Sequence, residues 1–162
     1  NQVEPSLIRI DADELTYCLH IMVRYEIEKK MIAGEVAVSE LPALWAELMK
    51  EYLGVEVPND RDGILQDSHW SGGSIGYFPS YALGSAYAAQ FIHRMEQDIP
   101  VYELVAQGDF QTINAWLDTH IHQYGCFYSP AELFRRCCGE EFDPQYYLDY
   151  LTQKYTKIYR LS

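Results

Sequence analysis

The sequence has 162 residues, with 24 acidic side chains against 12 basic ones and a formal net charge of −12. That length suits one domain or part of one, and 48% hydrophobic with 22% charged residues is a globular composition rather than a disordered one. The acidic balance argues against a nucleic-acid or anionic-membrane surface, and no apolar run approaches the roughly 20 residues of a spanning helix.

Helical periodicity dominates from the start. Leu7–Ile10 (LIRI) reads as one short extended stretch. Asp11 to about Ala33 carries apolar residues at Leu15, Leu19, Met22, Val23, Ile27 and Met31, while Asp13, Tyr17, His20 and Arg24 form a polar run on the opposite face. Gly34 is the predicted stop. A second helix is predicted from Ser39 to about Leu53, buried through Leu44, Trp45, Leu48, Met49 and Tyr52 and closed by Gly54. Residues 55–63 (VEVPNDRDG) read as a loop. ILQDSHW and the turn SGGSIG follow, then a helix from near Pro79 whose small residues permit close approach. Further helices are predicted at about 100–107, at 109–123, from Ser129–Pro130 to Cys138, and from Asp143–Pro144 to near Tyr159. The expected fold is all-α, with six or seven helices in a single helical unit over residues 1–162.

The four cysteines (Cys18, Cys126, Cys137, Cys138) show no CxxC spacing, and no signal peptide opens the chain. A reducing, cytoplasmic compartment is therefore expected. The 14 tyrosines imply polar-edged cores or a wet cleft, because each buried ring needs a partner for its hydroxyl.

Gly63 to Gly84 is the segment richest in chemistry. His69 precedes a Gly/Ser-rich turn, and Tyr77 and Tyr81 follow at i and i+4. Together they offer hydrogen-bond donors to one point, as a developing oxyanion requires. On spacing alone His69 beside Trp70 also fits a satisfied structural residue, and the two tyrosines fit a core pair. Arg9 in IRIDAD can hold a substrate carboxylate through its fork of donors; it fits equally well as a salt-bridged helix start, with Asp11 or Asp13 capping the helix. His120 and His122, at i and i+2, point apart and make a poor metal pair. There is no HExxH, P-loop, GxSxG or GxGxxG.

IRIDAD (Ile8–Asp13) matches [IV]RxxAD, and GILQDSHW (Gly63–Trp70) matches GxxQDxHW. With DELTYCLHIMVRYEIEK and GSIGYFPSYALGSAYAAQ, these motifs make the chain resemble the carboxypeptidase Taq family of zinc metallocarboxypeptidases. The resemblance covers essentially the whole chain and is strongest over residues 6–92. It implies a mostly helical HExxH metallopeptidase fold that removes single residues from peptide C-termini, with members that often dimerise. The HExxH segment of that family lies upstream of [IV]RxxAD, and this chain contains no His-Glu pair at all.

The resemblance therefore implies the C-terminal third of such an enzyme. It implies zinc in the parent protein with no metal ligand in this chain, and an isolated chain that is inactive. The abrupt opening at Asn1 is expected on the same grounds. By resemblance, His69 and Tyr81 (with Tyr77 in reserve) face the reacting carbonyl, Arg9 binds the terminal carboxylate, and Gln66 and Asp67 brace the groove or orient His69. Arg24 is read as a helix-surface ion pair, with a groove role as the alternative; His20 and His93 have no assigned role. The expected partners are peptide C-termini, the N-terminal portion of the enzyme and a second copy, with no nucleic acid and no membrane. The rival reading is a stand-alone helical peptide- or protein-binding module without catalysis. Cutting a two-walled enzyme also predicts an exposed apolar patch on the chain.

Overall fold

The helical pattern folds as seven α-helices in the computed structural model, which describes residues 1–161. They are α1 (Tyr17–Ile32), α2 (Leu41–Leu53), α3 (Pro79–Met95), α4 (Val101–Gln107), α5 (Phe110–His120), α6 (Pro130–Cys138) and α7 (Gln145–Tyr159), and no strand forms among the described residues. No helix among them is long and apolar enough to cross a membrane. The chain divides into two compact units, one of residues Asn1–Leu83 and one from Gly84 onward.

The helix ends follow local chemistry. α1 begins six residues later than the periodicity predicts, because the Asp13 carboxylate gathers the amides of Leu15 (2.9 Å) and Thr16 (3.0 Å) into a turn before the helix proper. Asp13 thus organises the turn that leads into α1, whose N-cap is Thr16. Gly54 closes α2 in the left-handed conformation, at φ +70°. Ser129 and Glu132 form a reciprocal capping box at the start of α6. The predicted extended stretch at Leu7–Ile10 is not a strand: Arg9–Asp11 coil into a 3-10 turn. The predicted helix over 109–123 breaks after His120 into a second 3-10 turn, His122–Tyr124.

The first unit is built on α1 against α2. Val23, Ile27, Leu41, Trp45, Leu48, Met49 and Leu53 form its core, with Ile64 and Trp70 packed on the edge. The polar run of α1 is the correction here. His20 and Arg24 do not face solvent; both are fully buried, while Met22 and Tyr25 on the other side are 46% and 45% exposed. The helix is apolar on both faces, so periodicity identifies which residues share a face but not which face turns inward.

The second unit packs Met95, Val101, Trp116 and Cys137 into one cluster. Gln90 is buried there, its amide donating to Glu140 (3.1 Å) and the Glu141 carbonyl (3.1 Å) while its oxygen accepts from the Asp143 amide (2.9 Å). All four cysteines are free thiols.

Candidate active site

The residues singled out by sequence come together in the first unit. Gln66 ends a 3-10 turn (Ile64–Gln66) that lies against the α1–α2 core. Gly63 at the head of that turn admits no side chain: a Cβ would meet Val57 Cγ1 at 2.8 Å and the Asn59 carbonyl at 3.0 Å. The Gln66 side chain then ties two distant segments together. Its amide donates to the Leu7 carbonyl (3.0 Å), and its oxygen accepts from the Arg9 amide (2.9 Å) and from Arg24 Nη2 (2.8 Å).

Asp67 sits between two guanidiniums. Arg9 approaches with Nε (3.2 Å) and Nη2 (2.7 Å) on Oδ1, and Arg24 with Nε (2.6 Å) on Oδ2. Burial pushes the Asp67 carboxyl up, but the Arg9 hydrogen bonds and the Arg24 charge outweigh it and hold the carboxyl below its ordinary range. Arg24 is the correction to the surface-ion-pair expectation: its guanidinium is wholly enclosed, bonded to the His20 carbonyl (2.8 Å) and placed 4.6 Å from the Trp45 ring centre. Burial lowers its pKa to about 10, which leaves it cationic at neutral pH. Two cations thus share one carboxylate, and one positive charge is left over.

Arg9 is buried, at 8% exposure, but its hydrogen-bonding capacity is not filled. Three of its five N–H groups are engaged, by Asp67 and by the Tyr17 hydroxyl (3.1 Å), so one N–H on each terminal nitrogen is uncommitted. Its guanidinium carbon lies 5.0 Å from the ring centre of Tyr81. Tyr81 in turn meets His69, with hydroxyl and Nε2 3.1 Å apart. The imidazole packs on Phe78 at 4.4 Å and near Tyr77 at 5.8 Å, and its Nδ1 lies 3.8 Å from Asp67 Oδ1. Tyr77 is half exposed at the outer edge of the cluster. Arg9, Gln66, Asp67, His69, Tyr77 and Tyr81 therefore form one constellation, with the polar atoms of Gln66 and Asp67 turned inward onto the arginines.

Tyr17, Phe78 and Glu28 belong to the constellation although sequence reasoning did not select them. The signal for Tyr17 and Glu28 was the α1 polar run, which continues past Arg24 to Glu28 at helical spacing, whereas Phe78 carried none. His20 is fully buried with neither ring nitrogen hydrogen-bonded among the described residues. Burial, with the charges of Arg24 and Arg9, lowers its pKa to about 4, so it is neutral at physiological pH.

The model of the carboxypeptidase Taq (M32) metallopeptidase family matches residues 1–155. The chain belongs to that family. It is 47% identical over 162 residues to carboxypeptidase 1 of Bacillus subtilis, covering 99% of this chain and 32% of the relative. It is 44% identical over 160 residues to thermostable carboxypeptidase 1 of Thermus thermophilus, covering 98% and 31%. The crystal structure of the M32 carboxypeptidase from Deinococcus radiodurans superposes with a TM-score of 0.95 at 39% identity, over 99% of this chain and 33% of that one. The chain spans about a third of the length of these relatives and aligns with their C-terminal third.

The M32 family is one of metallopeptidases, so a metal is implied. The residues present do not fit a metal site. Among the described residues no three His, Cys, Asp or Glu groups come together, and the one carboxylate at the constellation is saturated by two guanidiniums.

Proposed function

We propose that this chain is the substrate-gripping, C-terminal part of a zinc metallocarboxypeptidase that releases single residues from peptide C-termini, the zinc being held by residues outside the chain. The observation that carries the reading is the stacking of Arg9 on Tyr81 while the Tyr81 hydroxyl meets His69. A cation with two free N–H groups and a pair of oxyanion donors share one aromatic ring. A C-terminal amino acid presents a carboxylate at one end and a scissile carbonyl at the other, and this juxtaposition offers a partner to each.

In the reaction, Arg9 takes the terminal carboxylate on its two uncommitted N–H groups, with Asp67 and Tyr17 fixing the plane of the guanidinium and Gln66 holding the Arg9 backbone amide. His69 and Tyr81 exchange their mutual hydrogen bond for bonds to the carbonyl oxygen as it gains charge. Tyr77 walls the outer side and is the reserve donor. The four free thiols support a reducing, cytoplasmic setting.

The test is a blocked dipeptide assay on the whole protein. His69→Ala and Tyr81→Phe are each expected to lower kcat by roughly 10²–10³ with little change in KM. Arg9→Gln removes both the charge and the fork, and should abolish discrimination between a free and an amidated C-terminus. Wild-type kcat in both donor variants would overturn the reading. Peptide binding without any hydrolysis by the whole protein would favour a non-catalytic binding module instead.

A further inference from the structure

The segment joining His69 to Tyr81 has little support of its own. Residues 71–77 are all exposed, so the loop between Trp70 on the core edge and the buried Phe78 has no core packing of its own. The loop's internal bonds are local, such as Ser74 N–H to the His69 carbonyl (2.8 Å) and Gly73 N–H to the Trp70 carbonyl (3.0 Å). A single buried side chain on α1 ties it down. Glu28 accepts the Trp70 indole N–H on Oε2 at 2.8 Å and the Gly76 amide on Oε1. Trp70 directly follows His69, and Gly76, at φ +76°, stands one residue before Tyr77. One carboxylate thereby grips both stems of the loop, one oxygen to each.

Glu28 forms no ion pair among the described residues. A buried carboxylate held only by neutral donors is costly. A neutral amide in its place would turn an NH2 group toward one of the two donors, because Trp70 and Gly76 bond to different oxygens. We infer that Glu28 is a positioning residue for the oxyanion donors, setting the His69–Tyr81 contact by holding both ends of the glycine loop to α1. This rests on the reading of His69 and Tyr81 given above.

The test pairs spectroscopy with kinetics, both on the whole protein. Glu28→Gln orphans one stem donor; Trp70→Phe removes one donor and serves if the first variant fails to fold. Leu48→Ala loosens the α1–α2 core without removing any hydrogen bond of the loop and is the control. In nitrogen-15 spectra, Glu28→Gln and Trp70→Phe are expected to move the His69 ring resonances as Tyr81→Phe does, while Leu48→Ala leaves them in place. In the whole protein, Glu28→Gln should lower kcat by about 10–100-fold with KM unchanged. His69 resonances unmoved in both loop variants, or moved equally by Leu48→Ala, would overturn the inference. Resonances that move while kcat stays at wild type would keep Glu28 as the positioning group and reject the oxyanion role of His69 and Tyr81.

Discussion

At the scale of single residues, the site depends on a buried charge arrangement with one carboxylate too few. Asp67 serves two guanidiniums, one of them wholly buried. Asp67→Asn would leave Arg24 enclosed without its counter-charge, and the expected loss is about 3–5 kcal/mol, read from urea midpoints. His20 adds a pH dependence of definite sign. Its folded pKa of about 4 lies below the ordinary 6.5, because burial and the Arg24 and Arg9 charges outweigh the attraction of Asp67 and Asp13. The unfolded chain therefore takes up a proton first. The His20 contribution is complete above pH 6.5 and is lost as pH falls toward 4, up to about 3 kcal/mol. Denaturation midpoints measured across that window should slope downward toward acid, and His20→Gln should flatten the slope. A midpoint independent of pH in the wild-type chain would contradict this.

At the scale of elements, the short 3-10 turn Ile64–Gln66 matters more than its length implies. It presents Gln66 and Asp67 to arginines that precede them by 42 to 58 residues. It can lie so close to the core only because Gly63 has no side chain. Gly63→Ala would drive a Cβ against the Asn59 carbonyl, a backbone atom that cannot rotate away. The expected cost is about 1–3 kcal/mol, visible as a lower melting temperature together with weaker substrate binding by the whole protein. Helix termini were legible in the sequence because caps are local: Gly34, Gly54, Ser129 and Pro79 each act within a few residues of themselves. The start of α1 was not, since Asp13 draws the following amides into a turn that competes with the helix.

At the scale of the whole molecule, α1 presents a second apolar face. Met22, Tyr25 and Ile32 line its outer side with Leu15 just before it, and all four are exposed. A free apolar stripe of this kind drives association, while the net charge of −12 opposes it. The chain is therefore expected to self-associate more strongly as salt screens the repulsion, and Met22→Lys with Tyr25→Lys should restore a monomer in sedimentation runs. A wild-type monomer at every salt concentration would show that this face does not drive association. The sequence by itself determined the helical class, most of the helix ends, the two motifs and, through them, the family. Those features are carried by neighbours in the chain or by fixed spacings. Only the tertiary structure decided that Arg24 and His20 face inward, that Asp67 is shared, and that His69 meets Tyr81 beneath Arg9. Helical period says which residues share a side, but the choice of inward side and the pairing of groups tens of residues apart arise from packing, which leaves no local mark.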